Sequence, residues 1–140
     1  MVRKIAMTAI AAGAVRMALS SAQAQQCAAN FNMVGTPMLT ALTYRTFDMV
    51  PRPQPAVLAD LASAVAAEGF LGIKVDKGLG AITAMQETSG SGRPQTLRVT
   101  ARKAGSGTRV DVVFMVQPGQ IAPEDYIRQA FCRVISGARR

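Results

Sequence analysis

The stretch "TLRVTARKAGSGTRVDVVFMV", residues 96–116, decides the fold of this 140-residue chain. Apolar and polar residues alternate on both sides of the turn Ala104-Gly105-Ser106-Gly107, a pattern typical of a β-hairpin. Opposing Arg102 with Arg109 gathers the large apolar side chains on one face. That face consists of Leu97, Val99, Ala101, Val110, Val112 and Phe114. The hairpin therefore predicts an antiparallel sheet with one buried face.

The opposite face of the hairpin is basic and partly apolar. Its candidate partner-binding residues are Arg98, Arg102, Arg109, Val113 and Met115. Asp111 lies among the arginines and is expected to offset their charge. A solvated surface explains such a face, and docking of an anionic envelope surface or an envelope protein is the functional alternative. Nucleic acid is not an expected partner, because this face lacks aromatic side chains on which bases could stack.

The segments around the hairpin complete the predicted sheet and add two helices. The predicted elements are a strand at 38–50, a helix at 55–69, strands at 70–76, 81–87, 96–103 and 108–116, and a helix at 123–137. The alternation of the first strand slips between Tyr44 and Phe47, which predicts a β-bulge. The order β-α-β-β-β-β-α predicts the α+β class, a single antiparallel sheet with two helices packed on one face.

The first 24 residues have the three parts of a secretory signal peptide. A basic start precedes an apolar run at 5–15, and the small-residue site Ala22-Gln23-Ala24 follows. The run is too short to span a bilayer as a helix, which needs about 20 residues. Cleavage after Ala24 is favoured over lipidation at Cys27, because glutamines directly before a cysteine fit a lipobox poorly. The chain is expected to be periplasmic or secreted, and not transmembrane after processing.

The rest of the chain predicts one domain. The predicted divisions are a signal peptide at 1–24, an N-terminal arm at 25–37, a single α+β domain at 38–137 and a basic C-terminal tail at 138–140. The formal net charge of the whole chain is +8. The leader holds three of the basic residues and no acidic one, which leaves +5 for residues 25–140.

The two cysteines, Cys27 and Cys132, are the disulfide candidate of an exported chain. Their bridge would tie the N-terminal arm to the last helix and close a loop of about a hundred residues. The alternative is a buried Cys132 thiol with a free Cys27.

The residue inventory argues against an enzyme. No histidine is present, which removes Ser-His and Cys-His dyads, His-ligated zinc and the commonest general base near neutral pH. A turn explains Asp76, and the start of the last helix explains Glu124 and Asp125. The sequence contains no phosphate-binding glycine motif and no thioredoxin-type Cys pair, so we expect no catalytic residue, no metal and no cofactor.

A small apolar ligand is the alternative to a docked partner. Helices that grip a curved sheet can leave a cavity between the two layers. The candidate cavity residues are Leu58, Leu61, Phe114 and Phe131. Close packing of the helices on the sheet would fill this space instead.

The segment "LADLASAVAAEGFLGIKVDKGLGAITA", residues 58–84, carries a family resemblance. A helix that ends in Gly-Phe is followed by a strand and by Asp76, Gly80 and Ile82 in the spacing Asp-x-x-x-Gly-x-Ile. This pattern resembles the helix-grip domains of a lipoprotein component of the outer-membrane β-barrel assembly machinery, and small bacterial envelope lipoproteins of similar size. The resemblance covers about residues 40–136 and includes no catalytic or binding motif. It implies a helix-grip fold and a non-enzymatic accessory or interaction module of the cell envelope.

Overall fold

The computed structural model describes residues 26–87 and 93–140, so the predicted signal peptide at 1–24 lies outside the described residues. The strands are β1 (Asn32–Val34), β2 (Leu42–Val50), β3 (Leu71–Asp76), β4 (Ala81–Glu87), β5 (Pro94–Ala104) and β6 (Gly107–Val116). The longer helices are α1 (Gln54–Ala67) and α2 (Glu124–Gly137), and residues 26–29 form a short helical turn. Within these two ranges, no helix has the length and apolar character needed to cross a membrane.

The strands form one antiparallel sheet in the order β1-β2-β6-β5-β4-β3. The hairpin of β5 and β6 has the predicted register, with Arg102 opposite Arg109 and Leu97 opposite Phe114. Both helices pack on the face that carries the apolar side chains of this hairpin. The predicted fold class, α+β with two helices on one face of a single antiparallel sheet, is confirmed.

Apolar side chains from both layers form the core. The buried residues of the helices are Val57, Leu58, Leu61 and Val65 in α1, and Ile127, Ala130, Phe131, Val134 and Ile135 in α2. The two helices approach closely at Gly137, where an added Cβ would lie only 2.8 Å from the side chain of Ala64. Small residues at this crossing let both helices lie flat on the sheet.

The structure corrects the predicted bulge in the first long strand. β2 pairs with β6 residue by residue from Leu42 to Val50, without a bulge between Tyr44 and Phe47. Thr46 and Asp48 occupy inward, buried positions, and Phe47 lies on the opposite face. The alternation of apolar residues slips there because two inward positions are polar, and the backbone is regular.

The predicted N-terminal arm at 25–37 contributes structure of its own. Asn32–Val34 forms β1 and pairs antiparallel with β2. The side-chain amide of Asn30 donates a hydrogen bond of 2.9 Å to the backbone carbonyl of Phe47 in β2. The strand was not predicted because three residues are too few to show an alternating pattern.

The predicted basic tail at 138–140 also packs against the sheet. Ala138 is fully buried. The guanidinium of Arg139 donates a hydrogen bond of 2.7 Å to Asp48 Oδ2 and another of 2.8 Å to the backbone carbonyl of Met49. Arg139 thereby supplies the counter-charge and a hydrogen bond to the buried carboxylate of Asp48, so the tail is a part of the domain.

Cys27 and Cys132 form a disulfide that links the helical turn at 26–29 to α2, with their Cα atoms 5.8 Å apart. The hydroxyl of Thr46 donates a hydrogen bond of 2.7 Å to the carbonyl of Cys27. The predicted pairing is confirmed, and together with this hydrogen bond it holds the turn against β2.

Removing the disulfide should destabilise the domain and leave its fold unchanged. The bond spans 105 residues, and a disulfide across a loop of this length contributes about 2–5 kcal/mol. We expect Cys27→Ser with Cys132→Ser to lower the free energy of unfolding in urea by that amount, with the same far-UV circular dichroism. Dithiothreitol should reproduce the loss in the parent and leave the double variant unaffected. An unchanged free energy of unfolding would contradict this role.

The ion pair of Asp48 and Arg139 should contribute far more to the free energy of unfolding than an exposed ion pair does. Their side chains are 6% and 14% exposed, whereas Asp125, which pairs with Arg128, is 85% exposed. Breaking a buried pair costs about 3–5 kcal/mol and breaking an exposed one less than about 1 kcal/mol. Urea unfolding of Asp48→Asn and of the control Asp125→Asn measures the difference, and similar losses in both would contradict it.

Candidate functional site

The sheet face that points away from α1 and α2, hereafter the outer face, is the candidate interaction surface. Side chains alternate along each strand, so every second residue lies on this face. The pairing of neighbouring strands aligns these residues in rows that cross the sheet. The chemical character of the face is therefore set row by row.

All five predicted partner-binding residues lie on the outer face, but in three different rows. Arg98 is paired with Val113, Arg102 with Arg109, and Met115 lies in a separate row. Arg102 is four residues along β5 from Arg98, a distance of about 13 Å in a strand. The five residues therefore do not form one continuous patch.

Arg102 and Arg109 are both held by Asp111, which neutralises one of their two charges. Arg109 donates two hydrogen bonds, of 2.9 and 3.0 Å, to the carboxylate of Asp111, and its guanidinium lies 4.2 Å from the ring centre of Phe47. The guanidinium of Arg102 lies 3.6 Å from the same carboxylate. Hydrogen bonding to Asp111 and attraction by its charge raise the pKa of Arg109 above its ordinary value. The predicted offsetting role of Asp111 is confirmed, and this cluster carries one net positive charge.

Three other cations lie in one row. The register places Arg45 opposite Val113, Val113 opposite Arg98, Arg98 opposite Thr83 and Thr83 opposite Lys74. Arg45, Arg98 and Lys74, hereafter the cation row, are exposed and make no ion pair with any carboxylate in the described part of the chain. Since neighbouring strands lie about 4.8 Å apart, successive cations are roughly 10 Å from each other.

A row of exposed apolar side chains runs beside the cation row. The register pairs Val34 with Thr43, Thr43 with Met115, Met115 with Thr96, Thr96 with Met85, and Met85 with Leu71. The four apolar members, Val34, Met115, Met85 and Leu71, hereafter the apolar row, are between 42% and 61% exposed. Exposed apolar groups that are aligned, and not scattered singly, are typical of a contact surface.

The sequence prediction missed Arg45, Lys74 and most of the apolar row. The expected bulge left the face of Arg45 undetermined. A regular strand with Thr46 and Asp48 pointing inward places Arg45 on the outer face. Lys74 was expected on the polar side of its strand, but no local pattern indicates that this strand lies two strands away from Arg98.

The space between the sheet and the helices is almost filled. All four predicted cavity residues, Leu58, Leu61, Phe114 and Phe131, are buried, and a cavity of about 20 Å³ remains. Phe114 and Phe131 line it, whereas Leu58 and Leu61 pack elsewhere in the core. A cavity of this size holds about one water molecule, so a ligand would enter only if a helix moved outward.

Tyr44 belongs to the same core layer. Its hydroxyl donates a hydrogen bond of 2.8 Å to the carbonyl of Ala122, and its ring centre lies 6.3 Å from that of Phe114. Burial, and to a smaller extent the charge of Glu124, raise the pKa of Tyr44 above its ordinary value of 10.0. Tyr44 is therefore a neutral hydrogen-bond donor near neutral pH. Across residues 26–87 and 93–140, no group of three His, Cys, Asp or Glu side chains could hold a metal ion.

Comparison with known proteins bears on the fold. No protein-family description and no curated protein sequence matches the chain. Among solved structures, the chain is similar to CalU16 from Micromonospora echinospora, with a TM-score of 0.52 and 9% identity over 77% of this chain and 83% of that one. The fold is helix-grip-like. Two further similarities have lower TM-scores. Ara h 8.0201 has a TM-score of 0.38 and 10% identity, and the match covers 70% of this chain and 97% of that one. Human StAR-related lipid transfer protein 5 has a TM-score of 0.34 and 9% identity, and the match covers 88% of this chain and 89% of that one.

Proposed function

We propose that this protein is a non-enzymatic, exported interaction module of the bacterial envelope that docks an anionic membrane surface through its outer face. The cation row carries the proposal, because Arg45, Arg98 and Lys74 are exposed, aligned and not neutralised by a described carboxylate. The apolar row beside it offers side chains that can contact lipid next to the head groups. The resemblance to domains of the outer-membrane assembly machinery agrees with this location.

Two observations support export and the absence of catalysis. A disulfide between Cys27 and Cys132 suits an oxidising compartment such as the periplasm or the extracellular space. The chain contains no histidine, and its buried Asp48 is fully engaged with Arg139 and the backbone of Met49. The polar groups of the core therefore serve the fold and leave docking to the outer face.

The expected attraction to an anionic membrane is moderate. A basic side chain close to an anionic leaflet contributes about 1 kcal/mol, so three contribute about 3 kcal/mol, roughly a hundredfold in affinity. The Debye length at physiological ionic strength is about 8 Å. Arg102 and Arg109 share the carboxylate of Asp111, which offsets part of their charge, so each adds less to the contact than a cation of the cation row.

Neutralising Arg98 should weaken binding to anionic vesicles more than neutralising Arg102. Both substitutions remove one charge from the outer face of β5, but only Arg98 belongs to the cation row. We expect Arg98→Gln to lower partitioning onto phosphatidylglycerol vesicles about fivefold, and Arg102→Gln by less than about twofold. Vesicle co-sedimentation at physiological ionic strength measures both variants.

The outcomes of this experiment separate the possible partners. Equal losses in the two variants would contradict the cation row as the docking site. No binding of the parent to anionic vesicles would contradict a membrane surface, and capture of a single envelope protein that depends on Arg98 would then identify a protein partner.

A carrier of small apolar ligands is the second candidate function. The phenylalanine lining of the space under α2 favours it, since Phe70 and Phe114 contact edge to face at 5.9 Å and Phe131 completes the wall. The small volume of this cavity, about 20 Å³, argues against a carrier function. A ligand larger than a water molecule would fit only if α2 separated from the sheet.

The protein should therefore show no saturable binding of a fluorescent fatty acid. We expect the fluorescence titration to rise only linearly with probe concentration, because a closed core offers no preformed pocket. A fatty-acid carrier serves as the positive control. Saturable binding of one probe per chain would contradict this expectation and favour the carrier function.

A further inference from the structure

A recess of about 870 Å³ lies on the outer face between Arg98 of β5 and Lys74 of β3. Short side chains form its floor, because Thr83 lies between these two cations, and Ala81 pairs with Thr100 in the next row. Long side chains on both sides of short ones leave a depression in the sheet surface. The recess therefore lies at one end of the cation row.

The turn between β3 and β4 borders the recess with Lys77 and Leu79. Asp76 Oδ1 accepts a hydrogen bond of 2.9 Å from the backbone N–H of Leu79, and the carbonyl of Gly80 accepts one of 2.8 Å from the N–H of Ala101. Gly80 has a φ of 63°, and a Cβ there would overlap the carbonyl oxygen of Ala101. Glycine alone allows this approach, so the turn is fixed against β5.

The charges around the recess favour an anion. Lys74, Lys77 and Arg98 line it, against the single carboxylate of Asp76, which already accepts the hydrogen bond within the turn. Ammonium groups act as point charges, and a guanidinium presents a planar fork of donors that matches phosphate oxygens. The hydroxyls of Thr83 and Thr100 bond to no other described residue, so they can donate to a ligand.

We propose that this recess binds the phosphoryl group of an anionic lipid and anchors the docking of the outer face. The inference rests on the proposed function, because it names the lipid head group that the same surface recognises. A phosphomonoester has three terminal oxygens and about −1.5 to −2 charges. A phosphodiester has fewer terminal oxygens and a single charge, so the recess prefers the monoester.

Vesicles that carry phosphatidic acid or phosphatidylglycerol at equal surface charge separate recognition of the phosphoryl group from general attraction. We expect the protein, with its disulfide intact, to bind the phosphatidic acid vesicles about tenfold more tightly. Thr83→Val with Thr100→Val removes two hydroxyls without changing charge or β-branched shape, and it should abolish this preference. Binding to phosphatidylglycerol should stay the same.

The matched control is Thr43→Val with Thr96→Val. These two threonines lie on the same face and are half-buried like the first pair, but they belong to the row of apolar side chains. We expect the control to keep the tenfold preference. Lys77→Gln, in the turn outside the strands, should lower the preference without touching the sheet. Urea unfolding of each variant checks that the fold is unchanged.

The outcomes distinguish the two proposals. Equal binding to both kinds of vesicle, with no effect of the Thr83 and Thr100 substitutions, would overturn the phosphoryl site and leave docking of an anionic surface intact. No binding to either vesicle would overturn both. Competition by soluble glycerol phosphate at the concentration of the lipid phosphate would overturn a lipid as the ligand, because a free phosphoester would then suffice.

Discussion

The pairing of β6 with β2 on one side and β5 on the other is the constraint on which the rest of the structure depends. A shift of one residue would turn Val110, Val112 and Phe114 from the core toward solvent. The same register sets the outer face, since Arg45 and Arg98 share a row only because both lie opposite Val113. The hydrophobic effect on one side of the sheet thus determines the arrangement of charge on the other.

Features encoded within a short stretch of sequence were predictable. The register of the β5–β6 hairpin follows from alternation and a short glycine turn, and the helices follow from apolar spacing and their terminal glycines. The cysteine pair was predictable for a different reason: a chain with a leader-like start and only two cysteines offers one possible intramolecular bridge.

Features that depend on strands distant in sequence could not be predicted. The cation row joins residues of β2, β5 and β3, and nothing local indicates that these strands are each separated by one other strand. Buried Thr46 and Asp48 were misleading because their partners, the carbonyl of Cys27 and the guanidinium of Arg139, come from opposite ends of the chain. Sequence patterns report the polarity of a residue, and the partner that permits its burial appears only in the folded chain.

The hydrogen bonds from Asn30 and Arg139 to β2 have a consequence beyond stability. β1 covers only the first part of this edge, and the two side chains occupy the carbonyls of Phe47 and Met49 beyond it. An uncovered edge with free carbonyls can recruit a strand from another molecule. Asn30 lies three residues after the disulfide at Cys27, so the bond that anchors the turn also keeps this edge closed. The disulfide therefore acts on the sheet edge as well as on the core, because the turn that it holds keeps Asn30 on the carbonyl of Phe47.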